Sequence, residues 1–252
     1  MKIAAQLYTV REFTQTDKDF KETIKKVAAI GYPGVQLSAH GAIPAQFIAD
    51  TCTEYGVEIV NTHSPPPRIL NDTDKLIAEH KLYKAPQIGI GSMPVEYRED
   101  VAGIKKFAED YLPAAKKIKD SGLRFAYHNH AFEFVKFDGK LMMDHIAETF
   151  AEAEIQFILD TYWVQAGGAD PAFWIKKLSG KVPRIHFKDM AITGQSEQRF
   201  APIGSGNLNW PAIIEACRAS AVEWVIVEQD DSYDKDAFDC LAASYEFLVK
   251  NV

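Results

Sequence analysis

Short apolar runs alternate with longer amphipathic stretches eight times along these 252 residues, and that rhythm leaves few folds open. The apolar runs predict strands over 3–10, 35–37, 57–62, 88–90, 123–127, 155–159, 182–187 and 224–227. Between and after them the spacing predicts helices over 20–30, 44–55, 74–83, 101–119, 141–150, 171–178, 210–219 and 237–249. Phe157-Ile158-Leu159 and Val225-Ile226-Val227 are apolar at every position, as strands buried on both faces of a parallel sheet must be. Strict strand–helix alternation over this length predicts an α/β fold, a closed (β/α)8 TIM barrel. An open doubly wound sheet would carry a glycine-rich phosphate turn after its first strand, and Tyr8-Thr9-Val10-Arg11 contains no glycine. No linker or low-complexity segment interrupts the pattern, so residues 1–252 are expected to form a single barrel domain.

Composition narrows the partners. With 28 Lys and Arg against 35 Asp and Glu, the chain carries a formal net charge of −7. That balance argues against a nucleic-acid partner and against an anionic membrane surface, both of which reward clustered cations. No apolar run approaches the roughly 20 residues needed to cross a bilayer. The start, Met1-Lys2-Ile3-Ala4-Ala5, has neither a basic leader nor a long apolar segment. A soluble, cytoplasmic protein is therefore expected. Cys52, Cys217 and Cys240 are far apart and odd in number, which implies buried thiols and no disulfide framework.

In a barrel the active site lies where the strands end, so the polar residues that close each strand carry the functional information. The fifth strand ends in Tyr127-His128-Asn129-His130, with Glu133 soon after, and the sixth in Asp160-Thr161-Tyr162-Trp163. The seventh ends in His186-Phe187-Lys188-Asp189 and the eighth in Glu228-Gln229-Asp230. Four neighbouring strands thus deliver carboxylates and imidazoles to one rim. A mixed oxygen and nitrogen set without thiolates suits a divalent ion such as Mn²⁺, Mg²⁺, Co²⁺ or Zn²⁺. Carboxylates gathered without a cation would repel one another and rise in pKa. Taken singly, His186 or Asp160 could instead be a hydrogen-bonded cap, whereas an unpaired Glu228 next to a barrel core would be costly.

Asp160-Thr161-Tyr162-Trp163-Val164, Ile185-His186-Phe187-Lys188-Asp189, Val227-Glu228 and Pro202-Ile203-Gly204-Ser205-Gly206 before Trp210 resemble the sugar phosphate isomerase/epimerase superfamily of xylose isomerase-like barrels. Gln6-Leu7-Tyr8-Thr9-Val10-Arg11 and the 127–134 block are similar to one branch of it. The resemblance implies a divalent metal held by Glu, Asp, His and Glu from the last four strands. Carried over, Asp160, His186 and Glu228 match. The fifth-strand ligand departs from the pattern: Glu133 is preferred, with His128 or His130 as rivals and otherwise a base or substrate contact. The resemblance also implies that an arginine in the loop after the seventh strand, here Arg199, touches substrate.

Such a centre supports proton abstraction beside a cation-polarised carbonyl, passing through an ene-diolate. Returning the proton to the other face epimerises a sugar, and returning it to the next carbon isomerises it. Expelling a β-substituent makes a dehydratase or lyase of a 3-keto sugar or inosose. The expected activity is a metal-dependent isomerase or epimerase of a small sugar, keto sugar or sugar phosphate, with the lyase as the alternative. An abasic-site endonuclease shares this barrel but needs a basic stripe, whereas the rim carries Asp189, Glu197, Asp230, Asp231 and Asp234. A barrel that only binds sugar is a third reading. Glu133, Glu228, His128 and Lys188 are the candidate proton carriers and oxyanion stabilisers, although Lys188 could equally form a surface salt bridge. His63, His130, Trp163, Arg199 and His40 are candidate sugar contacts, a homodimer is expected, Gly204-Ser205-Gly206 reads mainly as a turn, and His80 and His145 read as surface or packing residues.

Overall fold

Eight parallel strands close into a ring in the computed structural model, which describes residues 1–252. They are β1 (Lys2–Gln6), β2 (Gly34–Leu37), β3 (Glu58–Ser64), β4 (Gln87–Ile90), β5 (Arg124–His128), β6 (Gln156–Asp160), β7 (Arg184–Phe187) and β8 (Trp224–Val227). Each strand pairs with the next in sequence, and β8 closes on β1 in a register running from Lys2↔Trp224 to Ala5↔Val227. Every residue of β2, β4, β7 and β8 is buried, because the ring interior covers one face and the helices the other. The α/β barrel is the fold expected from the alternation.

The helices stop and start where local chemistry dictates. Asp17–Ile30 opens with the Thr16 side chain accepting from Asp19 N–H and closes at Gly31, whose φ of 118° is left-handed. Asp100, Asn209 and Asp236 cap Val101–Asp120, Trp210–Ala219 and Ala237–Asn251 in the same way. No helix is long and apolar enough to cross a membrane.

Three local features differ from the expectation. The first strand ends at Gln6, whose side chain accepts from Tyr8 N–H and turns Leu7–Phe13 into a 3-10 helix. The stretch after β7 is an antiparallel hairpin, Asp189–Thr193 against Glu197–Ala201, too short and exposed to stand out as a hydrophobic run. The helix Thr161–Ala166 begins directly at the end of β6, where the Asp160 carboxylate accepts from Trp163 N–H.

Inside the ring the layers differ in polarity. Ala4, Val60, Trp224 and Ile226 form a small apolar plug at the N-terminal end. Gln6, Gln36, Asn61 and Gln87 are fully buried, with Asn61 donating to Gln87 and Gln87 to Gln156. A bulge between β2 and β3 pairs Val35 with Ile59 and then Gln36 with Asn61, leaving Val60 without a partner in the register.

Candidate active site

Four side chains from four adjacent strands converge at the C-terminal mouth. His128 ends β5, Asp160 ends β6, His186 lies in β7, and Glu228 follows β8. One ligand atom from each lies within 4.8 Å of the others, and all four residues are buried. His186 Nδ1 is 2.9 Å from Glu228 Oε2 and 3.7 Å from Asp160 Oδ2, and His128 Nε2 is 3.4 Å from the same Asp160 oxygen. Ligand atoms about 2.0–2.2 Å from one ion are separated by roughly 2.8–3.6 Å at tetrahedral or octahedral angles and by more at wider ones. The observed edges match that spacing.

The imidazoles are already set to ligate. His128 Nδ1 donates to the Gly91 carbonyl at 2.9 Å, and His186 Nε2 donates to Gln36 Oε1 at 2.8 Å. Each neutral ring therefore keeps its proton on the outer nitrogen and turns a bare lone pair inward. His186 Nδ1 is buried without a hydrogen-bond partner and lies 2.9 Å from Glu228 Oε2, an oxygen whose near cation is the Lys188 ammonium. Two such lone pairs facing each other require a proton or a cation between them, so the donor set fits a divalent ion.

Lys188 supplies part of the counter-charge. Its ammonium is 2.8 Å from Asp230 Oδ1, 2.9 Å from Glu228 Oε2 and 3.3 Å from Asp160 Oδ2, and the side chain is buried. The alternative of a surface salt bridge is thus corrected: the ion pair is internal, because the chain just beyond β7 still points into the barrel. Thr161 holds the backbone there, accepting from Lys188 N–H at 3.0 Å and donating to Lys188 O at 2.9 Å. Burial works against every charge in the cluster. The Lys188 ammonium and the two imidazoles nevertheless hold Asp160 and Glu228 well below the usual carboxylate range. Asp160, Glu228 and Asp230 in turn raise Lys188, and Glu228 with Asp160 raises His186 against its burial. His128 is lowered by burial, and Asp230 is pushed up to about 6 by burial and by Glu228.

Above this centre lies a cavity of about 340 Å³, lined mostly by polar residues that include Tyr8, Ser38, His63, Ser92, His130 and Asp230. Lys188 is its cationic side chain, and three carboxylates already neutralise it.

The family model for the xylose isomerase-like TIM barrel matches residues 24–248. The chain belongs to this family. Among solved structures, this xylose isomerase-like barrel is similar to a sugar phosphate isomerase/epimerase from Parabacteroides distasonis, at 21% identity and a TM-score of 0.84, covering 99% of this chain and 98% of that one. It is also similar to an L-ribulose 3-epimerase, at 14% identity and a TM-score of 0.76, covering 100% and 94% of the two chains. A probable 3-DHS dehydratase involved in petrobactin synthesis in Bacillus anthracis is 14% identical with a TM-score of 0.74, covering 99% of each chain. At these identities the likeness is one of fold. A search of curated protein sequences found no match.

The xylose isomerase-like barrel does not bring Glu133 to its centre. The 3-10 helix Phe132–Phe134 tucks that carboxylate into the core, where the Tyr127 hydroxyl donates to it at 2.6 Å and His130 N–H at 2.8 Å. Burial pushes Glu133 up to about 7 despite these donors. His128 stands in the fifth-strand position instead.

The other expected sugar contacts divide. His63 lies in the cavity wall, its ring centroid 4.8 Å from that of His128 and 5.3 Å from that of His186, and its Nε2 is buried and unpartnered. His130 is also in the wall, and burial lowers it to about 3. Trp163 packs behind His130, 5.3 Å between centroids, with the Lys188 ammonium 5.3 Å from its ring. His40 and Arg199 lie outside the cavity. His40 Nδ1 bonds its neighbour's carbonyl at Gly41, and Arg199 sits on the hairpin, paired with Glu197 at 3.1 Å over the Tyr233 ring.

Two residues at the site were legible only as rim acids. Asp230 is a cavity wall residue tied to Lys188, a role that no spacing signal announces. Asp189 is fully buried and accepts from Trp210 Nε1 at 2.7 Å and from the backbone N–H groups of Met190, Gly204 and Gly206 at 2.8, 2.9 and 3.0 Å. The Gly204-Ser205-Gly206 turn thus cradles an anion, and the anion is the chain's own carboxylate. A Cβ on Gly206 would meet Asp189 Oδ1 at 2.4 Å, so the approach requires glycine. Being buried, Asp189 adds nothing to the acidic surface of the rim.

Proposed function

We propose that the barrel is a divalent-metal-dependent isomerase or epimerase of a small, uncharged keto sugar. The observation that carries this reading is the convergence of His128, Asp160, His186 and Glu228, with both outer imidazole nitrogens tied to protein acceptors, beneath a cavity lined by polar residues. Those four residues would hold the ion. When bound, it would act as a Lewis acid toward the carbonyl and the neighbouring hydroxyl of a ketose.

The chain's own groups do the rest. Glu228 reaches the cavity from β8 and takes the proton from the carbon next to the carbonyl. Lys188 fixes Glu228, Asp160 and Asp230 in one arrangement, and its charge opposes that of the oxyanion that develops. His63 enters from β3 and lines the cavity wall as a substrate contact. Ser38, Ser92, Tyr8 and Asp230 offer partners to sugar hydroxyls. A phosphate dianion would find no unneutralised cation in this wall, which supports an unphosphorylated substrate.

The test combines elemental analysis with solvent exchange. The purified protein is expected to hold about one divalent ion, and with that ion it should wash deuterium from D₂O into one carbon of a keto hexose or pentose while interconverting isomers. Ion uptake without C–H exchange across a ketose panel would overturn the catalytic reading. Loss of water from the sugar would replace it with a dehydratase.

A further inference from the structure

We infer that the N-terminal mouth of the barrel, at the opposite end from the metal centre, is a second binding site that takes a small organic carboxylate with an apolar body. The argument starts from Arg184, the first residue of β7, which is only 7% exposed. Its Nε donates to the Val60 carbonyl at 2.9 Å. Val60 is the residue left over at the β2–β3 bulge, and β3 stands opposite β7 in the eight-strand ring. The arginine therefore spans the barrel floor, and its guanidinium lies across the barrel interior beside the apolar plug.

A guanidinium carries five N–H donors in a planar fork. Here one has a protein acceptor at hydrogen-bond distance, and the nearest carboxylate, Glu223, is 3.7 Å away on a side chain that is 63% exposed. Burial lowers the pKa of Arg184 and Glu223 offsets this only in part, the mark of a buried cation without a full partner. The guanidinium borders a cavity of about 450 Å³, within the size range of small-molecule sites. Val57, Leu82 and Trp224 wall that cavity, and Lys84 adds a second positive charge. The one lining carboxylate, Glu58, is already bound by Lys2 at 2.8 Å. A planar fork facing apolar walls is complementary to a carboxylate on a hydrocarbon body, bound through two parallel N–H···O bonds.

The inference is independent of the metal centre and of the reaction, and thermal unfolding in the presence of hexanoate or benzoate tests it. At a hundred times its Kd, a carboxylate is expected to raise the midpoint of the wild-type protein by roughly 5–11 °C. Hexanol and benzyl alcohol at equal concentration should not. Arg184→Met should abolish the carboxylate shift, and Leu82→Trp, which fills the mouth from a half-exposed position, should abolish it with Arg184 intact. A shift of equal size with the alcohols, a shift retained in both variants, or none in the wild type at tens of millimolar carboxylate would overturn the inference.

Discussion

Replacing Lys188 by Met separates the two positive charges that the centre can use. The ammonium bridges Asp160 and Glu228, both buried, and Asp230, whose side chain is 22% exposed. Removing one partner of a buried ion pair costs about 3–5 kcal/mol, because the remaining charges stay desolvated. Solvent screens little of that here. For a chain of this size each kcal/mol moves the melting midpoint by about 2–4 °C, so Lys188→Met in EDTA should melt roughly 6–20 °C below wild type. The same two oxygens, Asp160 Oδ2 and Glu228 Oε2, face both the ammonium and His186 Nδ1, between which the proposed ion would sit. Without the competing ammonium, the variant should therefore bind Mn²⁺ or Zn²⁺ more tightly, by tenfold or more, and the added ion should restore most of the lost midpoint. Circular dichroism melts with EDTA and with metal, together with calorimetric titration, measure both quantities. An unchanged midpoint in EDTA, or weaker metal binding by the variant, would refute the view that Lys188 and the ion share one set of charges.

Three further outcomes are expected. Glu133→Gln should retain full metal content by elemental analysis while His128→Ala loses it, because only His128 reaches the other ligands. Glu133 also sets a pH dependence. Its folded pKa of about 7 lies above the unfolded value, so its contribution is complete below about pH 4.3 and is lost as pH rises through 7, about 4 kcal/mol in all. Denaturant unfolding of wild type against Glu133→Gln across that window should show the wild type losing this amount relative to the variant, and parallel curves would contradict it. Asp189→Ala removes the acceptor of several buried N–H groups, each worth about 1.5 kcal/mol or more toward a charged partner, so hydrogen exchange should rise sharply in the 202–210 loop and the hairpin.

Charge at the centre also explains how one barrel can tolerate so many ionisable groups in its interior. Outer hydrogen bonds orient the two imidazoles, and one ammonium set against three carboxylates leaves a deficit of positive charge that a divalent ion would fill. A cavity with no spare cation then favours ligands that bring hydroxyls rather than anionic groups.

The barrel was legible in the sequence because strands buried on both faces must be apolar throughout, and Phe157–Leu159 and Val225–Val227 leave no polar face to expose. Asp160, His186 and Glu228 were legible for a related reason: in a parallel barrel every strand ends at the same mouth, so knowing where each strand stops places its last polar residue. What followed the strands was not legible. Whether the chain past β5 sends Glu133 to the centre or into the core depends on a short 3-10 helix and on a hydroxyl from Tyr127, contacts that no periodicity encodes. Lys188 reads equally well as solvated or buried until three carboxylates from two other strand ends are seen around it. Periodicity is a property of neighbours in sequence, whereas the charge that a buried group meets is set by strands far apart along the chain, and only the closed ring decides it.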